Sequence, residues 1–112
     1  MSTNTSTLLQ HYEVIAEITR NMLELALVNE WDEVVSLSER YVHAVDQLRE
    51  VDTLSATDRA ARRQLLSRIL ENDAQIRHLA MPELGRLNQL LGNMKRQQDV
   101  LQAYCAPSIN HA

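Results

Sequence analysis

The sequence has few of the residues that most folds use for turns, covalent cross-links and aromatic cores. Its 112 residues include two glycines, two prolines, one cysteine, one tryptophan, three tyrosines and no phenylalanine. So few turn-forming residues exclude a many-stranded β fold. Cys105 has no second cysteine to pair with, which excludes an internal disulfide framework and favours a reducing, cytoplasmic location.

Targeting signals and long apolar runs are also missing. The first residues, MSTNTST, contain neither a basic segment nor an apolar one, so we expect no secretory signal there. No stretch approaches about 18 consecutive apolar residues, and we therefore expect no membrane insertion. The hydrophobic share of 45%, carried largely by strong helix formers, predicts one all-α domain over residues 1–112.

Residue clusters that could carry chemistry are scarce. No glutamate precedes a histidine by three residues, which is the spacing that di-iron helical bundles use. Glu39 and His43 are four residues apart and could bind a metal only with further ligands. Neither a glycine-rich phosphate loop nor a nucleophile elbow occurs. We predict that the protein is not an enzyme and that it holds no metal and no cofactor.

Charge is divided unevenly along the chain. Residues 1–56 carry ten acidic and three basic side chains, net −7, whereas residues 57–112 carry five acidic and eight basic, net +3. The acidic half either complements the basic half or offers a face to a basic partner. Arg59, Arg62 and Arg63 share one helical face, but the net charge of −4 disfavours phosphate binding, so we expect no direct contact with nucleic acid.

Apolar residues recur at helical spacing along nearly the whole chain. The pattern predicts a disordered segment at residues 1–6 and then four helices, at residues 7–28, 30–50, 57–92 and 94–105. Asn29 suits the left-handed conformation that ends a helix. The short connection after it predicts an antiparallel hairpin of the first two helices, with Trp31 packed at its corner.

Pro82 interrupts the long third helix. A proline inside a helix removes a backbone hydrogen bond and disfavours helical angles at the residue before it. Because the apolar period continues in phase across Pro82, we expect a kink near residues 78–82; the alternative is two helices with Pro82 at the first helical position of the second. Gly92 and Asn93 mark a second weak point, at which the helix either stops or runs through. The short helix predicted after them has so few apolar residues that we expect it to be the least stable.

Asp73 lies on the apolar stripe of the third helix, between Ile69 and Ile76. A buried acid needs partners. Two interpretations stay open: Asp73 sits at the edge of the stripe and reaches an arginine, or this part of the helix is an open groove that awaits a partner.

Three stretches in this order resemble the FliT family of flagellar export chaperones: ALVNEWDEVVSLSERYVHAVDQL, LLSRILENDAQIRHLAMPELGRLNQLL and the ending LQAY. The resemblance covers about residues 8–104 and implies a small helical bundle, in which the hairpin packs on the long third helix. It also implies a cytoplasmic, non-enzymatic protein that holds the C-terminal segment of the filament-cap protein FliD and delivers it to the export gate and ATPase complex. Some members of the family also bind the master flagellar transcription activator and keep it off DNA.

The resemblance further implies where the partners bind. In the family the short C-terminal helix covers part of the partner-binding surface, and the tyrosine that ends it is linked to docking on the export gate. Tyr104 matches that tyrosine, so we predict that Leu101 and Tyr104 dock on the export gate; the alternative is that Tyr104 only closes the core. The predicted client groove, which opens when the last helix lifts, is lined by Ile76, Leu79, Leu84, Leu87 and Leu91.

A second hypothesis about function needs no client. The third helix has more apolar length than the hairpin requires, and a homodimer could bury the excess against a second copy. The chain would then be a structural or adaptor protein.

Overall fold

The computed structural model describes residues 7–48 and 56–105, in which four α-helices and one 3-10 turn occur and no strand. In chain order the elements are α1 (Thr7–Leu27), α2 (Trp31–Gln47), α3 (Ala56–Ala80), the 3-10 turn (Met81–Glu83) and α4 (Leu84–Cys105). The all-α prediction is confirmed. The predicted disorder of residues 1–6 lies outside the described residues, as do the side chains of Thr7, Leu8, Ala56, Tyr104 and Cys105.

The turn between α1 and α2 is a helix end closed by its own backbone. Asn29 has a φ of 63°, as its left-handed role requires. Its N–H donates to the Ala26 carbonyl at 3.0 Å, and the Glu30 N–H donates to the Leu25 carbonyl at 2.9 Å. These two hydrogen bonds satisfy carbonyl groups that the end of α1 would otherwise leave without partners. The chain therefore reverses at once, and Trp31 enters the core at the corner with 3% of its surface exposed.

The four helices form a small bundle in which each helix has two main neighbours. Helix α1 contacts α2 and α3, and α4 contacts the same two helices. Thr19 of α1 meets Asn72 of α3, and earlier in both helices Glu13 borders the same shallow groove as Leu65, so α1 and α3 run parallel. The buried apolar residues of all four helices form one core: Tyr12, Ile15, Met22, Ala26, Trp31, Val34, Tyr41, Val45, Leu48, Leu66, Ile69, Ile76, Ala80, Leu87, Leu90, Met94 and Leu101.

The predicted third helix, residues 57–92, is wrong at its C-terminal end. Helix α3 ends at Ala80, and Pro82 lies in the 3-10 turn that follows. The backbone leaves helical angles again at Leu87, where φ is −104° and ψ is 22°. The chain reverses across these two departures from helical geometry, the first at Pro82, which has no N–H to donate, and the second at Leu87. The apolar phase survives the reversal since α3 and α4 both face one core, so phase alone could not distinguish a kink from a turn.

The predicted short helix at residues 94–105 is also wrong. After its kink at Leu87, α4 continues to Cys105, and Gly92 and Asn93 stand inside it. Gly92 is exposed, and a helical glycine at the surface costs only about 1 kcal/mol relative to alanine. The continuous helix presents one buried stripe at alternating spacings of three and four residues. Its members are Leu87, Leu90, Met94, Gln97 and Leu101.

The buried stripe holds the end of α4 against the bundle more firmly than the sequence alone suggested. Leu101 has no exposed surface, whereas Leu84 at the other end of α4 is 52% exposed. We predict that Leu101→Ala lowers the free energy of unfolding by about 1.5–3 kcal/mol, because it removes buried apolar surface and local opening of α4 limits the cost. Urea denaturation of the intact chain measures this change.

Leu84→Ala is the matched control, with an expected change within about 0.5 kcal/mol because the side chain is exposed. A loss below about 1 kcal/mol for Leu101→Ala would mean that this end of α4 already detaches in the native state, since opening would then limit the cost of the truncation.

Candidate functional site

The residues predicted to line a client groove lie around the junction of α3 and α4, where they form no open groove. Ile76 of α3 and Leu87 of α4 are buried in the core. Leu79 and Leu91 pack half-buried against it, and Leu84 alone of the five is exposed. Because the chain reverses at Pro82, three of the five residues belong to the helix that covers the bundle and two to a helix beneath it.

The two residues predicted to dock on the export gate lie on the last turns of α4. Leu101 is not a surface residue, since it has no exposed area and belongs to the core. Tyr104 lies within α4, but the structure does not describe its side chain, so its docking role stays a prediction. Leu101 could reach a partner only if the end of α4 left the bundle.

A covered face of α2 lies beneath the end of α4. Val42 and Val45 of α2 share a shallow groove with Gln97 and Val100 of α4. Nearer the start of α4, Leu87 shares a groove of about 200 Å³ with Val35 and Leu90. Part of the apolar side of α2 therefore lies against α4, the helix at the C-terminal end of the described chain, and the rest packs against α1.

Asp73 is at the centre of a buried polar network. Its side chain has no exposed surface. One carboxylate oxygen, Oδ2, accepts a hydrogen bond from the Tyr41 hydroxyl of α2 at 2.6 Å. The other, Oδ1, accepts from Nε of Arg77, one turn further along α3, also at 2.6 Å. Asp73 does reach an arginine, but it lies inside the bundle and not at the edge of the stripe, and the open-groove interpretation is wrong.

The surroundings of Asp73 have opposing effects on its pKa. Burial, the largest effect, raises the pKa of Asp73 because a charge loses its hydration there. The hydrogen bonds from Tyr41 and Arg77 lower the pKa of the carboxyl, but burial prevails. Burial and the nearby carboxylate both raise the pKa of Tyr41, so the hydroxyl remains a donor. The network is a structural link between α2 and α3, and it has no open access for a substrate.

A second polar contact joins α1 to the same part of α3. The Thr19 hydroxyl is 3.1 Å from the carbonyl oxygens of Ile15 and Ala16, and it accepts a hydrogen bond from Nδ2 of Asn72 at 3.3 Å. Thr19 is fully buried, which explains why a threonine can interrupt the apolar series of α1. Neighbouring residues of α3 thus hold both α1 and α2.

An open apolar surface lies elsewhere, between the outer faces of α1 and α2, and we name it the hairpin groove. It encloses about 1000 Å³. Val14, Ile18, Leu37 and Ala44 form its apolar part, and polar side chains of both helices surround them. This site was not predicted, because Val14 and Ile18 fit the apolar series of α1 and were expected to be buried. The signal that could have indicated it is the width of that series, which exceeds what one contact face of a helix needs.

Within residues 7–48 and 56–105, no helix has both the length and the apolar character needed to cross a membrane. In the same ranges no three histidine, cysteine, aspartate or glutamate side chains come together in a group that could hold a metal ion.

Comparison with known proteins gives one consistent family. The family model described as "Flagellar protein FliT" matches residues 9–106. A flagellar protein FliT of Yersinia pseudotuberculosis is 35% identical over 100 residues, which cover 87% of this chain and 83% of the relative. A flagellar protein FliT of Yersinia pestis matches with the same identity and coverage.

A solved structure agrees with these relatives. The crystal structure of flagellar protein FliT from Bordetella bronchiseptica superposes with a TM-score of 0.66 at 42% sequence identity. The match covers 77% of this chain and all of the solved chain. At that identity the likeness extends beyond a shared fold.

The buried carboxyl gives a pH dependence that can be measured. Because the pKa of Asp73 is higher in the folded than in the unfolded chain, the native state binds the proton more tightly. The free energy of unfolding should therefore fall as the pH rises from the ordinary value of 3.8 through the raised native pKa. We predict that Asp73→Asn removes this fall, as measured by urea denaturation between about pH 4 and about pH 7.

Tyr41→Phe tests the same network from the other side. It deletes a donor that holds the pKa of Asp73 down, so the fall should extend to higher pH. It should also cost about 1–3 kcal/mol near neutral pH. Equal pH profiles for the unmodified chain and Asp73→Asn would contradict the assignment.

Proposed function

This chain belongs to the FliT family of flagellar proteins, and from that premise we propose that it is a cytoplasmic, non-enzymatic export chaperone. Its client would be the C-terminal segment of the filament-cap protein. The chain would protect that segment and deliver it to the export gate and ATPase complex. The proposal includes binding of the master flagellar transcription activator, which would keep the activator from its DNA without any contact between this chain and nucleic acid.

The observation that carries the proposal is the cover that α4 forms over an apolar face. Helix α4 lies at the C-terminal end of the described chain, so its last turns can leave without unravelling α1, α2 or α3. Val42 and Val45 of α2 lie beneath those turns, beside Gln97 and Val100. A client helix with apolar residues at spacings of three and four could take the place of the departing segment. The proposed client site then lies under the end of α4, and the five groove residues expected from the sequence stay a prediction.

The free energy that holds the end of α4 is small enough for a client helix to displace it. Burial of one leucine stabilises by about 1.5–3 kcal/mol, and Leu101 is the fully buried residue of the segment after Lys95. A cover held by that amount would be open in roughly one molecule in ten to one in a hundred. Because a client binds only the open molecules, its apparent affinity is reduced in proportion to the open fraction. Removal of the cover would restore the full affinity.

The homodimer hypothesis has lost the observation that favoured it. It rested on apolar length of the third helix that one chain could not hide. In the structure Leu66, Ile69 and Ile76 of α3 are all buried within the chain. The reversal at Pro82 lets α4 cover the surface for which a second copy had been invoked.

Truncation after Lys95 tests the cover. We predict that the truncated chain binds a peptide of the filament-cap C-terminal segment about tenfold to a hundredfold more tightly, since the closed state no longer competes. Isothermal titration calorimetry measures the affinity, and circular dichroism checks that the remaining helices stay folded. Unchanged or weaker binding by a folded truncated chain would contradict the proposal.

Leu101→Glu is a second variant that keeps the full length. A charge cannot stay in the core without a partner, so the end of α4 should detach and client binding should tighten as in the truncated chain. This variant separates loss of the cover from loss of the sequence beyond Lys95.

Tyr104→Ala tests whether the export gate and the client use different surfaces. We predict that a pull-down from flagellated cells loses the export-gate components and retains the filament-cap protein, because a tyrosine is a common interface anchor. Gln102→Ala is the matched control, since Gln102 is an exposed residue of the same turn. Retention of the gate by Tyr104→Ala, or loss of gate and cap protein together, would contradict the prediction of two surfaces.

A further inference from the structure

We propose that the hairpin groove between α1 and α2 is a second docking site, which takes a basic amphipathic helix of a partner protein. The site adjoins the client face under α4, because Glu39 and His43 border both grooves. All of its lining residues lie on α1 or α2, within residues 10–21 and 36–44. It is therefore open whether α4 is in place or not, and the inference goes beyond the proposed function.

The floor of the groove is apolar and accessible. Ile18, Leu37 and Ala44 are half-buried, with their inner sides against the core and their outer sides toward the groove. Val14 is 52% exposed beside them. Apolar residues gathered between two helices, with polar residues around them, mark a surface at which a partner can exclude water.

The shape of the groove favours a helix over an extended peptide. Its walls are two antiparallel helices, and a third helix can lay its side-chain ridge into the channel between such a pair. The part of α1 that lines it, residues 10–21, is about 16 Å long, which matches about three turns of a bound helix. An extended peptide would need free backbone donors or acceptors, and the walls have used theirs within the helices.

The charge around the groove selects a basic partner. Glu13, Glu17 and Glu39 border it, against Arg40 and His43. Glu17 also pairs with Arg20 at 2.6 Å, so Glu13 and Glu39 carry most of the available negative charge. The groove also belongs to the acidic half of the chain, since residues 1–56 carry a net charge of −7. A helix with apolar residues on one side and lysine or arginine on its flanks would place cations beside these carboxylates, which directs association and register.

A second copy of this chain is a poor match for the groove. The basic residues that could meet the carboxylates are concentrated on α3, among them Arg62, Arg63 and Arg68. The exposed large apolar residues among the described ones are Val14, Leu27, Val28, Val35, Met81 and Leu84, and none of them lies on α3. That helix therefore offers the charge without the apolar anchors.

The test uses the intact chain and a synthetic helical peptide as the probe. The peptide has leucines along one face and lysines on its flanks, and a matched peptide carries glutamate in place of lysine. Fluorescence anisotropy measures binding to the unmodified chain, to Glu13→Lys/Glu39→Lys and to the control Glu71→Lys/Glu83→Lys. Both double variants change the net charge equally, but Glu71 and Glu83 do not line the groove.

We expect the lysine peptide to bind the unmodified chain and the control with affinities within about threefold of each other. Glu13→Lys/Glu39→Lys should weaken binding by at least about tenfold, because like charges then meet. Amide chemical shift changes should concentrate in residues 10–21 and 36–44, and the glutamate peptide should bind poorly.

Four outcomes would overturn the proposal. They are failure of the lysine peptide to bind, equal weakening by the two double variants, shift changes centred on α4, and equal binding of the two peptides. A doubled mass in sedimentation without peptide, with shift changes in the groove, would assign the groove to a second copy and would also overturn it.

Discussion

The closed core of this protein depends on the reversal of the chain at Pro82. Without a backbone N–H, proline cannot continue the hydrogen-bond ladder of α3, and the helix ends at Ala80. Three residues of 3-10 turn then send α4 back along the bundle. An unbroken helix would have left without cover the part of the apolar face of α2 that α4 now contacts. Because the turn is so short, the buried stripe of α4 arrives against α2 and α3 in one register.

A buried polar network keeps the helices in that register. Tyr41 and Arg77 satisfy both oxygens of Asp73, and Asn72 beside it meets Thr19. Apolar contacts tolerate small shifts of one helix along another, whereas a buried carboxylate tolerates none that break its hydrogen bonds. The same burial disfavours the ionised carboxyl and therefore raises the pKa of Asp73. Specific alignment of α1, α2 and α3 is obtained at some expense of stability near neutral pH.

The molecule has two apolar faces of different kinds. One lies under α4 and becomes available only if a helix packed through Leu101 departs, so access to it is governed by an opening equilibrium. The other, the hairpin groove, is open in the folded chain and bordered by carboxylates. A protein that must release one partner while it holds another benefits from two surfaces under separate control. The two surfaces meet along α2, where Glu39 and His43 border both of them, but the lining of the hairpin groove includes no residue of α4.

Local signals in the sequence were sufficient for the helical class, for the hairpin turn at Asn29 with Trp31 in the corner, and for the family. Each of these depends on residues that are close together in the chain, such as the periodicity of one helix or the cap at its end. The direction of the chain after Pro82, the burial of Asp73 and Leu101, and the hairpin groove were decided by the tertiary structure. The physical reason is that an apolar stripe specifies which side of a helix is buried but not which helix covers it. Tyr41 and Asp73 are 32 residues apart, and only the packed bundle brings their side chains within hydrogen-bonding distance.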